Sequence, residues 1–308
     1  MKFKFPSFHI PGPVKTLIKL AISAAIIVLI VRKIDERILL EVVSQANPLW
    51  VVWALGWFVL SKVIAAFRFN VLLRTEDIHI SRIQNLRLYW LCMYYNLLLP
   101  GGISGDGYKI KVLMESFKRP FKRIVTITLI DRISGLIALG QLSVILLLWV
   151  PAIQPYWPWL IPVLFLSCLV GWAIFRWAGG AIGSAWIKTS FQSLGVQGSQ
   201  AIATLGLVLA LGQGMHWADY LILFLISSLV AMIPITIGGA GARELTFLYG
   251  SQFLDVHAEK AVAIGFLFYL ISTGVSLYGI VYSFKRGGFS LAPVDHQWSE
   301  SFSGEKDS

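Results

Sequence analysis

Two places in the sequence end an apolar run at a proline, pass through clustered glycines, and resume with charge. The first is Pro100-Gly101-Gly102-Ile103-Ser104-Gly105-Asp106, and the second is Pro234-Ile235-Thr236-Ile237-Gly238-Gly239-Ala240-Gly241-Ala242-Arg243-Glu244. Proline removes a backbone donor and obstructs the preceding helical turn, whereas glycine lets backbone approach a ligand without an intervening Cβ. A helix that restarts after such a break presents unsatisfied N–H groups and the positive end of its dipole, which together attract an anion. Asp106, Arg243 and Glu244 stand at the restarts, and Asp131 and Arg132 lie about two turns into another apolar run. The guanidinium groups of Arg132 and Arg243 offer planar forks of permanently charged donors suited to phosphate. Asp106, Asp131 and Glu244 would neutralise those cations or receive a cationic group. The same residues also admit structural roles: Asp106 and Glu244 fall where carboxylates complement a helix dipole. Asn96, Ser104 and Thr236 serve equally as polar lining or as partners for backbone groups freed by the breaks.

The elements that carry these residues belong to a membrane. Of 308 residues, 56% are hydrophobic and 14% charged, with a mean hydropathy of +0.72, against roughly 25% charged residues in a soluble domain. Broken helices survive in hydrocarbon only inside protein or beside a water-filled cavity, and paired interruptions in two halves of a chain point to a binding site at an internal-repeat interface. The net charge of +10 is distributed as a topology signal, with Lys2, Lys4, Lys15 and Lys19 around the first apolar run and Lys118, Arg119, Lys122 and Arg123 in one short connection. Cytoplasmic loops collect Lys and Arg, so the N-terminus and the 109–123 region are expected inside, and no nucleic acid partner is implied. Cys92 and Cys168 lie in apolar surroundings and form neither a disulfide framework nor a metal spacing.

Hydropathy and length predict an all-α polytopic fold: six full spans, at 14–31, 48–69, 124–150, 160–175, 201–215 and 261–284, plus two re-entrant hairpins. The run 14–31 is read as a retained span, since no small-residue cleavage site follows it. Residues 86–99 are too short to cross upright, about 14 against roughly 20. They are expected to enter from the cytoplasm, break at 100–105 and return through 106–117. Residues 220–233 would enter from the opposite face, break at 234–241 and return through 242–254, making an inverted repeat whose tips meet near the midplane. The segment 181–192 is read as lying on the cytoplasmic surface, with Arg68, Arg74, Arg82 and Arg87 forming an inside cluster. Residues 1–286 thus make one transmembrane domain, and 287–308 a polar, disordered cytoplasmic tail.

Three stretches together resemble a known family: Asn96 to Gly107 around the first break, Asp131-Arg132-Ile133-Ser134-Gly135, and Ile233 to Glu244 around the second. They are similar to the transmembrane region of lysylphosphatidylglycerol synthase/flippase proteins. The full-length synthases add a soluble aminoacyl-transferase domain, and this sequence ends at Ser308 without one. The resemblance implies the stand-alone branch, whose members are thought to flip phospholipids or polyprenyl-phosphate-linked sugars. Carried over by residue, it marks Pro100, Gly101, Gly102, Gly105, Asp106, Asp131, Arg132, Gly135, Pro234, Gly238, Gly239, Gly241, Arg243 and Glu244; Ser104 joins them as candidate lining.

The expected activity is translocation of a phosphate-bearing lipid across the bacterial inner membrane. Its partners would be an anionic lipid headgroup and the bilayer, and a homo-oligomer is compatible with the sequence. A secondary transporter of a small soluble anion would use the same broken helices. A lipid-modifying transferase would need a catalytic constellation, and no DxD, HExxH, GxSxG or Cys/His arrangement occurs. Residues 238–243 lack the third glycine and the βαβ setting of a dinucleotide loop, so no cofactor is expected.

Overall fold

The computed structural model describes residues 44–98, 104–150, 155–231, 242–254, 256–284 and 291. Among these the regular structure is entirely helical, and every element below lies in one compact unit, Ala46–Ser308. Helix α1 spans Pro48–Arg74, α2 Arg82–Leu98, α3 Ser104–Phe117, α4 Phe121–Leu146, α5 Trp157–Ala178 and α6 Trp186–Ala210. They are followed by α7 at Trp217–Ala231, α8 at Ala242–Gly250, α9 at Ala258–Leu277 and a single turn, α10, at Ile280–Ser283. Six stretches are long and apolar enough to cross a bilayer: Pro48–Arg74, Phe121–Trp149, Trp157–Ala178, Gly180–Ala210, Gly214–Ala231 and Ala258–Ser283. Their outward faces carry Leu49, Trp159, Phe165 and Trp177, all well exposed. Such faces suit lipid rather than water.

Local chemistry sets the helix ends. Asn47 caps α1 by accepting a hydrogen bond from the Leu49 N–H at 3.0 Å, and Pro48 follows at the first turn, where its missing donor costs nothing. Helix α1 packs most extensively on α6 through small residues. Ala54, Ser61 and Ala65 are buried on α1, while Gly206 of α6 lies so near the chain that a Cβ would stand 3.1 Å from the Trp50 carbonyl oxygen. With lipid as the competing solvent, such close backbone approach supplies the packing attraction that hydrophobicity alone cannot.

Helices α2 and α3 fold back on each other. The Asn96 Oδ1 accepts from the Gly105 N–H at 2.7 Å, Ser104 Oγ donates to the Tyr95 carbonyl at 2.6 Å, and the Tyr95 and Tyr108 rings lie 4.5 Å apart. Helices α7 and α8 likewise pack together, and α8 then rests on α9 with the fully buried Phe247 against Gly265.

Several expectations are revised. The segment 181–192 and most of the short span 201–215 form one continuous helical stretch, Trp186–Ala210 with a 3-10 lead-in at Gly180–Ala185, not a surface segment followed by a crossing. The polar run misled because several of its side chains are buried against backbone carbonyls of the bundle: Ser193 Oγ donates to the Thr189 carbonyl, and Gln197 Nε2 donates to the Gly135 carbonyl. Of the arm expected at 220–233, residues 220–231 belong to a stretch, Gly214–Ala231, whose 18 residues are by length and composition enough to cross. Arg68 is no member of an inside cluster. Because α1 continues to Arg74, Arg68 sits within the helix and is buried. The first expected span, the second break, residues 100–103 of the first break and most of the tail lie outside the described residues, whereas Ser104 and Gly105 already belong to α3.

The tightest contact in the α2–α3 pair generates a test. A Cβ on Gly105 would collide with the Cys92 backbone carbonyl, whereas Gly107, two residues later in the same helix, faces open space. Gly105→Ala is expected to destabilise the protein by about 1–3 kcal/mol through overpacking, and Gly107→Ala to be neutral or slightly stabilising. Thermal unfolding of both variants in detergent checks the contrast.

Candidate functional site

The charged residues of α1, α3 and α4 converge instead of facing outward. Arg68 Nε donates to Asp131 Oδ1 at 2.8 Å, and its Nη1 donates to Ser193 Oγ at 2.9 Å. Both side chains of the ion pair are nearly inaccessible, at 6% and 8%. One buried guanidinium thereby ties α1 to α4 and α6. Alongside it, Asp106 in the first turn of α3 receives a charge-assisted hydrogen bond from Arg132 Nε and lies 3.4 Å from Lys109 Nζ. Lys109 is buried, with its ammonium 4.2 Å from the Phe69 ring centre, a placement that partly replaces lost hydration by attraction to the ring face.

These groups surround a cavity of about 200 Å³. Lys62, Arg68, Lys109 and Arg132 supply four cations to its wall and Asp106 and Asp131 two carboxylates, with Tyr89, Asn96, Gln197 and Gln200 as neutral polar groups. Asp131 lies 10 residues into α4 from Phe121, or about 15 Å along the axis at 1.5 Å per residue. The charge cluster therefore lies within helices long and apolar enough to cross a bilayer. A cavity there, with paired charges and donors, can replace the water around an anion.

Aromatic side chains join the cavity to the second half of the chain. Lys62 Nζ lies 4.3 Å from the centre of the Phe58 ring; Phe58 meets Phe268 edge-on at 5.4 Å, and Phe268 meets Phe224 at 4.6 Å. The Arg243 guanidinium stands over Phe268 and Phe224 at 5.0 and 5.4 Å, and its Nη1 is 3.4 Å from Ser228 Oγ. Arg243 is thus a near neighbour of the cavity, separated from Lys62 by rings.

Of the residues expected from sequence, the structure brings Asp106, Asp131, Arg132 and Gly135 to the cavity wall. Ser104 and Gly105 stand behind it in the α2–α3 contact, where Ser104 and Asn96 satisfy backbone groups. Gly135 lies beside the Arg68 guanidinium. Pro100, Gly101, Gly102, Pro234, Gly238, Gly239 and Gly241 are outside the described residues, as is the side chain of Glu244. Three cations escaped sequence reading as site residues: Lys62, Arg68 and Lys109. The signal for the first two was present, since a charge inside an apolar run is costly and therefore functional by default. Lys109 looked like part of a solvated basic rim.

Long apolar helices around a buried charge cluster define a multi-pass membrane protein. Residues 16–183, more than half of the chain, match the family model described as the lysylphosphatidylglycerol synthase TM region, and the chain belongs to that family. The match includes Asp106, Asp131 and Arg132 and ends before Arg243. A search of curated proteins finds no match.

The buried ion pair carries a stability prediction. Asp131→Asn leaves the Arg68 charge uncompensated and is expected to cost about 3–5 kcal/mol. Adding Arg68→Met to Asp131→Asn is expected to recover a substantial part of that loss, because the stranded charge is removed. Chemical unfolding of the single and double variants in micelles measures both.

Proposed function

We propose that the protein is a lipid flippase or scramblase that moves a phosphate-bearing lipid, a phospholipid or a polyprenyl-phosphate-linked glycolipid, across the bacterial inner membrane. The observation that carries this reading is the cavity between apolar helices, with four cations against two carboxylates among the described residues. Desolvating a charged headgroup is the main barrier to its crossing. The cavity lowers that barrier by offering Lys and Arg donors in place of water, while the tails stay in the bilayer. Arg132, with a side chain 31% exposed, gives the headgroup its first contact. At about 200 Å³ the cavity is smaller than the roughly 300–1,000 Å³ of drug-sized ligand sites, which suits a headgroup rather than a whole lipid.

Orientation follows from charge. The end of the bundle where Arg119 pairs with Asp77 and Arg123 with Glu76 is taken as cytoplasmic, and both termini are assigned to that side. Helix pairs α2–α3 and α7–α8 are read as the two arms of an inverted repeat, entering from opposite faces. Net transport would draw on an ion gradient or on consumption of the lipid at the far side.

The test is reconstitution of the purified protein in liposomes containing headgroup-labelled phospholipids, with leaflet exposure followed by a membrane-impermeant quencher. Movement well above protein-free vesicles is expected. Arg132→Gln should slow it about tenfold, the effect of losing one charge-assisted hydrogen bond of roughly 1.5–3 kcal/mol. No lipid movement, together with uptake of inorganic phosphate, would instead favour a transporter of small soluble anions, which the cavity volume also accommodates.

A further inference from the structure

Charge in the cavity is unevenly compensated. Arg68 is committed to Asp131 and Ser193, and Arg132 and Lys109 share the single carboxylate of Asp106. Lys62 has no carboxylate partner among the described residues. Its ammonium rests against the Phe58 ring, and the charged neighbours that act on it are Arg243 and Arg68, both cations. The wall therefore carries two positive charges more than negative ones. Uncompensated buried charge is costly, so the wall is matched by an occupant bearing two negative charges.

We infer that the cavity selects a dianionic phosphate, that is, a terminal phosphomonoester, over a phosphodiester or a zwitterionic headgroup, and that Lys62 is the residue that makes the selection. The inference rests on the reading that this cavity is the anion site and narrows it to one class of headgroup. A phosphomonoester carries about two charges at neutral pH, because its second pKa is near 6. A phosphodiester carries one and leaves the wall with a residual positive charge. A zwitterion brings a cation of its own and leaves both excess charges unmatched. Lys62 lies on α1 at the inner end of the cluster, with Gln200 of α6 also in the wall. A phosphate seated between them would meet the unpaired ammonium without displacing either existing carboxylate.

Direct binding separates this inference from translocation. The full chain in detergent at pH 7 is titrated with dihexanoyl phosphatidate, with dihexanoyl phosphatidylglycerol and with inorganic phosphate, by calorimetry. The wild-type protein should bind phosphatidate at least about tenfold more tightly than phosphatidylglycerol, the effect expected of one additional charged hydrogen bond. Lys62→Gln should reduce that ratio to within about twofold, and Lys62→Arg should keep it. Gln200→Glu, which adds a negative charge to the wall without breaking an ion pair, should reduce it as well, so the test does not depend on one variant folding. Phosphatidate much tighter than inorganic phosphate would identify a lipid as the source of the group; equal affinities would identify free phosphate, and either result supports dianion selection. Equal binding of phosphatidate and phosphatidylglycerol by the wild type would overturn the inference, as would a preference that survives both Lys62→Gln and Gln200→Glu. If the preference holds and no lipid crosses reconstituted vesicles, the flippase reading fails and the inference stands.

Discussion

The Arg68–Asp131 ion pair is the contact around which the described structure is arranged. Two opposite charges nearly sealed from solvent gain from each other only while their geometry is kept, and each becomes a liability if the other moves. That requirement fixes the rotation of α1 against α4. Ser193 on α6 extends it, because the guanidinium's second donor needs an acceptor in the same place. Around this fixed centre the other charges find positions that are partly paired and partly open to the cavity. The small residues between α1 and α6 serve the same end, since helices that approach closely hold a polar cluster away from the acyl chains.

Much of this was legible in the sequence, and particular residues show where legibility stopped. Hydropathy located four of the six long helices as spans, at 48–69, 124–150, 160–175 and 261–284; it split 181–192 from 201–215 and read 220–233 as half a hairpin. The split has a physical origin: Thr189, Ser193 and Gln197 resemble a surface run when counted, but each has a hydrogen-bond partner inside the bundle. Asp131 and Arg132 stood out because intramembrane charge is rare. Their partners did not, since nothing in a linear pattern says that Asp131 faces Arg68, 63 residues away, or that Asp106 faces Arg132. A span boundary set at residue 69 instead of Arg74 was enough to move Arg68 from the helix interior to the cytoplasmic end of the span. Lys62 shows a different limit: one lysine in an apolar helix could snorkel to the surface, and only the packed neighbours reveal that it turns toward other cations.

Rings rather than charges connect the cavity to Arg243. Phe58, Phe268 and Phe224 form a continuous aromatic contact with Lys62 at one end and Arg243 at the other. Ring faces attract both cations while keeping water from running between them. Arg243 thereby belongs to the electrostatic surroundings of the cavity without lining it, and lies on a part of the chain beyond the family match.

The chain's two thiols fall on opposite sides of this architecture. Cys92 is buried in the cavity wall, and Cys168 is exposed on α5, among the outward apolar side chains. The native sequence consequently provides two spectroscopic handles with different surroundings: a maleimide must pass into the polar interior to reach Cys92, whereas a lipophilic reagent meets Cys168 from the acyl-chain side.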